Sequence, residues 1–187
     1  MPVSALIAKR AWQRRRKVSN PRDRCWRLSF FLIALGVLVA DQLTKLWIRS
    51  TLDIGEVLWQ AGIFSIVRTK NTGAAFGLFQ GHAFVIAIIA VIVIALLLFY
   101  VLWAHRRYPI FVSRLSWVAL GLILGGIIGN LIERVCNLID PSRFLGVTDF
   151  ISVGWWPSFN IADSSLVVGS ILLAYSLLLM IIKPESS

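Results

Sequence analysis

The chain has 187 residues, of which 58% are hydrophobic and only 15% are charged, and its formal net charge is +10. Because soluble domains average about half apolar and about a quarter charged residues, this composition excludes a soluble globular enzyme. Nine of the 19 Lys and Arg residues precede Ser29. The positive charge therefore belongs to one end of the chain and does not indicate a nucleic-acid-binding groove.

Residues 1–27 form a basic arm that has no long aliphatic run and ends directly before the first apolar segment. A cleavable secretory signal peptide also begins with basic residues and an apolar core, and Ala40 before Asp41 superficially fits its cleavage site. Because three more apolar segments follow, we interpret the arm as the cytoplasmic start of a membrane protein.

Four apolar segments are long enough to cross the hydrocarbon core of a bilayer, which takes about 20 helical residues. They are residues 28–47, 83–103, 115–132 and 161–182. The sequence therefore predicts an all-α membrane protein. Its fold is a four-transmembrane-helix bundle in a single domain over residues 28–182, followed by a short cytoplasmic tail at 183–187.

The orientation follows from the basic residues of the short loops. The loop at 105–114 is basic, like the arm, so the positive-inside rule makes this side cytoplasmic and puts both termini there. The two longest connections, 49–82 and 135–159, then lie outside, where loops of such length usually carry function. The first of them contains VLWQAGIFSIVRT, whose β-branched and aromatic residues predict a small extracytoplasmic β-like cradle at the membrane surface.

Most polar residues in or near the spans fall at the predicted outer edge of the membrane. They are Asp41, Lys45, Asn71, Asn130, Glu133, Arg134, Asp149, Asn160 and Asp163. Ionisable groups at this depth are costly, so their concentration on one side indicates a functional site.

Several of these residues also have purely structural interpretations. Asp41 and Lys45 are four residues apart on one helix face, so they could form a helix-end ion pair or support a site. Asn160 and Asp163 have the spacing of a helix N-cap residue and its N3 partner.

Gly121, Gly125 and Gly129 repeat every four residues, a pattern that is typical of close helix packing in membranes. Such packing would bring Asn130 and Arg134 against a neighbouring span.

Asp149 has no comparable structural interpretation. It is flanked by apolar residues, and the loop between it and Asp163 contains Trp155 and Trp156, which favour a membrane interface. A loop of this length can place the two carboxylates within hydrogen-bonding distance. Two carboxylates at a half-desolvated site tend to share a proton, which provides one base to activate water and one acid to protonate an amide nitrogen.

Other chemistries lack the residues they need. His82 and His105 fall on opposite sides of the membrane under this topology. The sequence therefore provides neither the histidines of a metal site nor the histidine base of a serine triad. Cys25 and Cys136 are too far apart to form a disulfide for the same reason. The sequence therefore predicts no metal, no cofactor and no nucleic-acid partner.

Five short motifs make the chain resemble a known family. They are DQLTK at 41–45, NTGAAFG at 71–77, GGIIGNLIER at 125–134, GVTDF at 146–150 and FNIAD at 159–163. In this order they resemble the lipoprotein signal peptidases (signal peptidase II), the bacterial aspartyl peptidases of the cytoplasmic membrane. The resemblance extends from about residue 27 to residue 182.

The resemblance implies a function and a set of site residues. The family's catalytic aspartates match Asp149 and Asp163. Its supporting residues match Asp41, Lys45, Asn71, Asn130, Arg134 and Asn160. The implied substrate is a prolipoprotein that carries diacylglycerol on a cysteine and is cleaved just before that cysteine. The implied location is the bacterial cytoplasmic (inner) membrane, with the active site at its extracytoplasmic face in contact with phospholipid. The resemblance does not define an oligomeric state.

Two features depart from the family pattern. Glu133 stands where the family generally has an aspartate, so its contacts are expected to differ. The arm at 1–27 is longer than usual and could bind anionic lipid at the cytoplasmic surface.

Two rival functions also use charges in or near a membrane: an ion- or proton-coupled transporter, and a noncatalytic scaffold whose polar residues only fasten the helices. The position of the carboxylates at one face, without an inverted repeat, disfavours the transporter.

Overall fold

The computed structural model describes residues 21–73, 82–108, 110, 113–142 and 144–182, with side chains from Cys25 onward. It contains four long helices: α1 (Pro21–Thr51), α2 (Ala83–Phe99), α3 (Arg114–Ile139) and α4 (Ile161–Ile182). It also contains four strands: β1 (Val57–Ala61), β2 (Phe64–Asn71), β3 (Val147–Val153) and β4 (Trp156–Phe159). Helix α2 continues through a π-helical turn, Tyr100–Ala104, into the turn His105–Arg107.

All four helices are long and apolar enough to cross a membrane, and each contains one of the four predicted spans. Three of them extend beyond the predicted boundaries, since the turns after α2 continue it to Arg107. Helix α1 begins at Pro21, inside the predicted basic arm, and α3 continues to Ile139, so Glu133 and Arg134 lie within a helix. A charged residue interrupts the apolar run in a sequence. It does not end the helix when another group in the fold pairs with its charge. The rest of the arm and the tail at 183–187 lie outside the described residues.

Helix α3 is the centre of the bundle. The rest of the protein buries 56% of the apolar stretch of α3, compared with 11% of the apolar stretches of α2 and α4. It packs against all three other helices. The main apolar cluster includes Phe30 of α1, Val101 of the π-helical turn after α2, and Trp117 and Leu120 of α3. The residues that reach the polar site, Asn130, Glu133 and Arg134, follow this cluster on α3.

Glycines on α3 allow its neighbours to approach at backbone distance. A Cβ atom on Gly125 would lie 2.7 Å from the carbonyl oxygen of Ala34 in α1. One on Gly126 would lie 2.6 Å from the carbonyl oxygen of Ala162 in α4. The glycine repeat thus has the packing role that the sequence predicts. Gly126, which is not part of the repeat, allows the same close approach by α4.

The four strands form one antiparallel sheet in the order β1-β2-β3-β4. The hairpin β1–β2 occupies the segment that was predicted to form strands. The second hairpin, β3–β4, was not predicted. Strand β3 is a strand because it pairs with β2, with Thr69 opposite Asp149, and this pairing joins residues that are far apart in the sequence. The fold therefore contains more sheet than the all-α class implies.

The close approach at Gly125 leads to a stability prediction. Gly125→Ala should destabilise the protein by about 1–3 kcal/mol, because the added methyl group overlaps the backbone of α1. Gly36→Ala is the matched control, since nothing lies within 4 Å of a Cβ atom there. Thermal unfolding in detergent measures both variants. Equal melting temperatures would contradict the packing role of Gly125.

Candidate active site

Asp149 lies on the central strand β3 with its side chain almost completely buried. Its Oδ1 accepts a hydrogen bond from the side-chain amide of Asn160 at 2.6 Å, and its Oδ2 accepts one from the amide of Asn71 at 3.1 Å. Asn71 ends strand β2, the neighbour of β3. Both oxygens of this carboxylate are therefore held by neutral amide donors.

Asp163 lies in the first turn of α4. Its Oδ1 accepts from the amide of Asn130 at 2.8 Å, and its Oδ2 accepts from the backbone N–H of Asn160 at 3.2 Å. The backbone N–H of Asp163 in turn donates to Asn160 Oδ1 at 2.9 Å. The N-cap interpretation and the site interpretation thus both hold, since Asn160 caps α4 and contacts both aspartates.

The three asparagine amides have defined orientations, because each amide oxygen accepts from a group that can only donate. These donors are Lys45 Nζ to Asn130 at 2.9 Å, Gly73 N to Asn71 at 3.0 Å and Asp163 N to Asn160 at 2.9 Å. With its oxygen fixed, each amide presents its NH₂ group to an aspartate. The pair is therefore surrounded by preset donors.

The local electrostatics favour a protonated Asp149. Burial of its carboxyl and the nearby negative charge of Asp163 raise the pKa of Asp149 to about 7. The hydrogen bonds from Asn71 and Asn160 and the charge of Lys45 oppose this rise without cancelling it. A carboxyl group with this pKa can hold or release a proton near neutral pH.

A buried ionic network lies behind the pair. The ammonium group of Lys45 contacts Asp41 Oδ2 at 2.9 Å and Glu133 Oε2 at 3.2 Å, and all three side chains are at most 2% exposed. Arg49 forms an ion pair with the other oxygen of Glu133. Two cations thus balance two carboxylates. This neutrality matters because an unpaired charge at this depth is strongly destabilising.

Asp41 connects α1 to α4. Its Oδ1 accepts from the backbone N–H of Ala162 at 2.9 Å, a donor that the first turn of α4 leaves free. Gln42 donates to Asp41 Oδ2 and to the carbonyl oxygen of Gly129, both at 3.0 Å. The pair of Asp41 with Lys45 is therefore both a helix-face ion pair and a support for the site.

Glu133 holds the residue before Asp149. Its carboxylate accepts from the backbone N–H and the hydroxyl of Thr148, both at 2.9 Å. Sequence reasoning missed the roles of Arg49 and Thr148, and also that of Gln42. The four-residue repeat of Asp41, Lys45 and Arg49 along α1 was the available signal for Arg49; nothing local indicated Thr148.

Arg134 is half-buried beside the site. Its guanidinium donates to the carbonyl oxygen of Gly73 at 3.2 Å. It also interacts electrostatically with both aspartates, more strongly with Asp163 than with Asp149. The structure thus brings together all eight residues that the sequence indicated as site residues. Among the described residues, no cluster of three or more His, Cys, Asp or Glu side chains has a metal-binding arrangement.

The chain is similar in sequence to known proteins. The sequence family described as Signal peptidase (SPase) II matches residues 33–179, a range that contains all eight of these residues. A lipoprotein signal peptidase of Dehalococcoides mccartyi is 42% identical over 146 residues, covering 77% of this chain and 85% of that protein. One of Rhodococcus jostii is 38% identical over 163 residues, covering 86% of this chain and 77% of the relative.

The fold also matches a solved structure. A bacterial membrane enzyme, determined by the in meso method at 2.3 Å resolution, superposes with a TM-score of 0.71 and 31% sequence identity. The match covers 84% of this chain and 92% of that one.

The ionic network leads to a second stability prediction. Lys45→Met should destabilise the protein by about 3–5 kcal/mol, because Asp41 loses its cation and Glu133 keeps only one. Adding Asp41→Asn should restore part of the loss, since it removes the unpaired charge. Lys70→Met, at an exposed lysine on β2, is the control. Unfolding curves in detergent give the ranking, and a Lys45→Met variant as stable as the control would refute the network's role.

Proposed function

This chain belongs to the signal peptidase II family of lipoprotein signal peptidases, and we propose that Asp149 and Asp163 are the catalytic pair with which it hydrolyses its substrate. The protein is a membrane peptidase that removes signal peptides from prolipoproteins. One observation carries the proposal: two carboxylates from different elements share Asn160, and all four of their oxygens accept hydrogen bonds from oriented donors.

The pair works with one proton between its two members. We assign this proton to Asp149, whose pKa is raised, and the negative charge to Asp163, with which Arg134 interacts more strongly. The ionised Asp163 takes a proton from water as the water oxygen bonds to the scissile carbonyl carbon. The carbon–nitrogen bond then breaks while Asp149 gives its proton to the departing nitrogen. A proton transfer from Asp163 to Asp149 restores the starting state.

The supporting residues keep this pair in place. Asn71, Asn130 and Asn160 hold the carboxylates, while Lys45 and Asp41 fix Asn130 and the start of α4. In our proposal Arg134 binds a substrate carbonyl or orients Asp163. Strand β2, which ends at Asn71, lies beside the catalytic strand and forms part of a cradle for the peptide.

The substrate in this proposal is a prolipoprotein with diacylglycerol on its cysteine, cleaved just before that residue. Its acyl chains stay in lipid while its scissile bond sits at the depth of the headgroups, where the ends of α1 and α3 meet the sheet. The peptidase domain is then residues 28–182. Purified protein given a lipidated and an unlipidated precursor tests this substrate, because only the first should be cleaved.

We orient the molecule in the bacterial cytoplasmic membrane with both termini in the cytoplasm and the two aspartates at the outer face. The support is the basic turn at Arg106 and Arg107 and the start of α3 at Arg114, which lie at the opposite ends of their helices from the site. A reporter fused after Tyr108 should read as cytoplasmic. An external signal there would reverse the orientation.

Substituting the pair tests the mechanism directly. Asp149→Asn and Asp163→Asn should each lower cleavage of the lipidated precursor by several orders of magnitude, because each removes the acid or the base. The double variant should be little worse than either single one, since the two residues act as a unit. Asp53→Asn, at an exposed carboxylate outside the site, is the matched control. Turnover is measured on protein shown to be monodisperse and stable in detergent, and near-normal turnover by Asp163→Asn would eliminate the two-aspartate mechanism.

The pH dependence follows from the raised pKa of Asp149. The folded protein retains the shared proton below about pH 7 and loses it as the pH rises through about 7. The value of kcat/KM should therefore fall on the alkaline side of about pH 7. It should also fall at low pH, when the base becomes protonated. The Asp53→Asn control should show the same profile, and constant activity up to pH 9 would contradict the assignment of Asp149 as the acid.

A further inference from the structure

A recess lies between the end of α1, the second half of β2 and the segment that leads into β3. It contains about 290 Å³ of empty space, part of which is open to the exterior. None of the eight site residues lines it, so the recess is separate from the aspartate pair. The side chains that give it its chemical character are Arg49, Ile54, Arg68, Lys70, Leu145 and Thr148.

The recess is cationic. Three basic residues line it, and none of the described residues in its lining is acidic. Arg49 is already paired with Glu133, but neither Arg68 nor Lys70 forms an ion pair within the described part of the chain. The carboxylate of Glu56, in the loop after α1, instead accepts from a backbone N–H of that loop at 2.7 Å. The recess therefore has two positive charges that no described carboxylate balances.

Only part of the Arg68 guanidinium is engaged by the protein. Its Nη1 donates to the carbonyl oxygen of Leu52 at 2.7 Å and to that of Arg49 at 3.4 Å, a structural role at the end of α1. Its Nη2 and Nε groups meet no acceptor among the residues that the structure describes. Because an arginine has five N–H donors in a planar fork, the bonds at Nη1 fix the group and leave donors for an anion.

Apolar side chains flank these cations. Ile54 is 46% exposed and Leu145 is 41% exposed, and both line the recess. Arg49 lies in the last turn of α1, whose 31 residues extend roughly 46 Å at about 1.5 Å per residue. A helix of that length reaches from the hydrocarbon core into the headgroup region of a bilayer. Cations beside exposed apolar side chains therefore suit a ligand that joins an anionic group to hydrocarbon.

We propose that this cationic recess binds a phosphate group, with Arg68 and Lys70 as its main contacts and Arg49 at its wall. Arginine forks match the geometry of phosphate oxygens, and a lysine ammonium adds a compact charge. An anionic phospholipid supplies this group as a phosphodiester, and inorganic phosphate supplies it from solution. The apolar residues Ile54 and Leu145 favour the lipid, because its glycerol and acyl chains can lie against them.

Binding should be measurable as stabilisation, because a ligand that binds only the folded state shifts the unfolding equilibrium. The full chain in detergent is titrated with phosphatidylglycerol and with phosphatidylcholine of the same acyl chains, whose quaternary ammonium opposes a cationic site. Thermal unfolding gives the affinity, and native mass spectrometry counts the bound lipid. Phosphatidylglycerol should bind several-fold more tightly than phosphatidylcholine and should raise the melting temperature at lower concentration.

Paired variants locate the binding to the recess. The double variant Arg68→Gln, Lys70→Gln should bind phosphatidylglycerol several-fold more weakly than the unmodified protein. The matched control, Arg106→Gln with Arg107→Gln, removes two exposed cations at the opposite end of the bundle and should bind as the unmodified protein does. Lys70→Gln alone keeps the test valid where loss of Arg68 unfolds the end of α1, since Lys70 is exposed and should by itself weaken binding measurably.

A third titration, with inorganic phosphate at constant ionic strength, identifies the source of the group. Stabilisation by phosphatidylglycerol without an effect of inorganic phosphate assigns the recess to lipid. Stabilisation by inorganic phosphate that the Arg68→Gln, Lys70→Gln variant loses assigns it to phosphate from solution. Either result supports the site.

Three results would overturn the proposal. Equal affinity for the two lipids would show that the recess does not select an anion. Equal weakening in the recess variant and in the Arg106→Gln, Arg107→Gln control would show only general charge attraction. Binding of a glutamate-rich peptide, with no effect of either phosphate source, would assign the recess to an acidic protein segment. None of these measurements uses peptidase activity, so a negative result leaves the proposed function intact.

Discussion

The site depends on the burial of one ammonium group. Lys45 has three N–H donors, and they meet three acceptors within 3.2 Å: Asp41, Glu133 and Asn130. A buried cation with an unmet donor would be strongly destabilising, so this arrangement has to be complete for the bundle to fold. It joins α1 to α3, and through Asp41 it also fixes the first turn of α4. The position of the aspartates follows from these constraints.

The same arrangement keeps Lys45 and Arg49 out of direct contact with the two aspartates. Lys45 is linked to the aspartate pair by hydrogen bonds only through the neutral amide of Asn130, which donates to Asp163. The other cation of α1, Arg49, is paired with Glu133. A lysine in direct contact with Asp149 would keep that carboxyl ionised, because a close opposite charge favours the charged form. Amide donors hold the carboxylates in place with a weaker effect, so burial dominates and the pKa of Asp149 stays near neutral. Stability and reactivity are thus assigned to adjacent but distinct sets of residues.

Glu133 shows how the sheet is tied to the bundle. Its carboxylate lies between two cations of α1 and two donors of Thr148, so the strand is attached to the helices immediately before Asp149, the catalytic residue in our proposal. The strand that carries Asp149 is therefore fixed to the helices by charge.

The sequence by itself determined the four spans, the hairpin β1–β2 and the set of polar residues at one edge, because these follow from local runs of hydropathy and from spacing along single helices. It also indicated the N-cap at Asn160. Only the tertiary structure decided that 135–159 contains a second hairpin, that Arg49 and Thr148 meet at Glu133, and which way each asparagine amide points. These features depend on contacts such as those of Arg49 with Glu133, between residues 84 positions apart. A periodic pattern records which face of an element is apolar, but it contains no information about which distant donor will satisfy a buried acceptor.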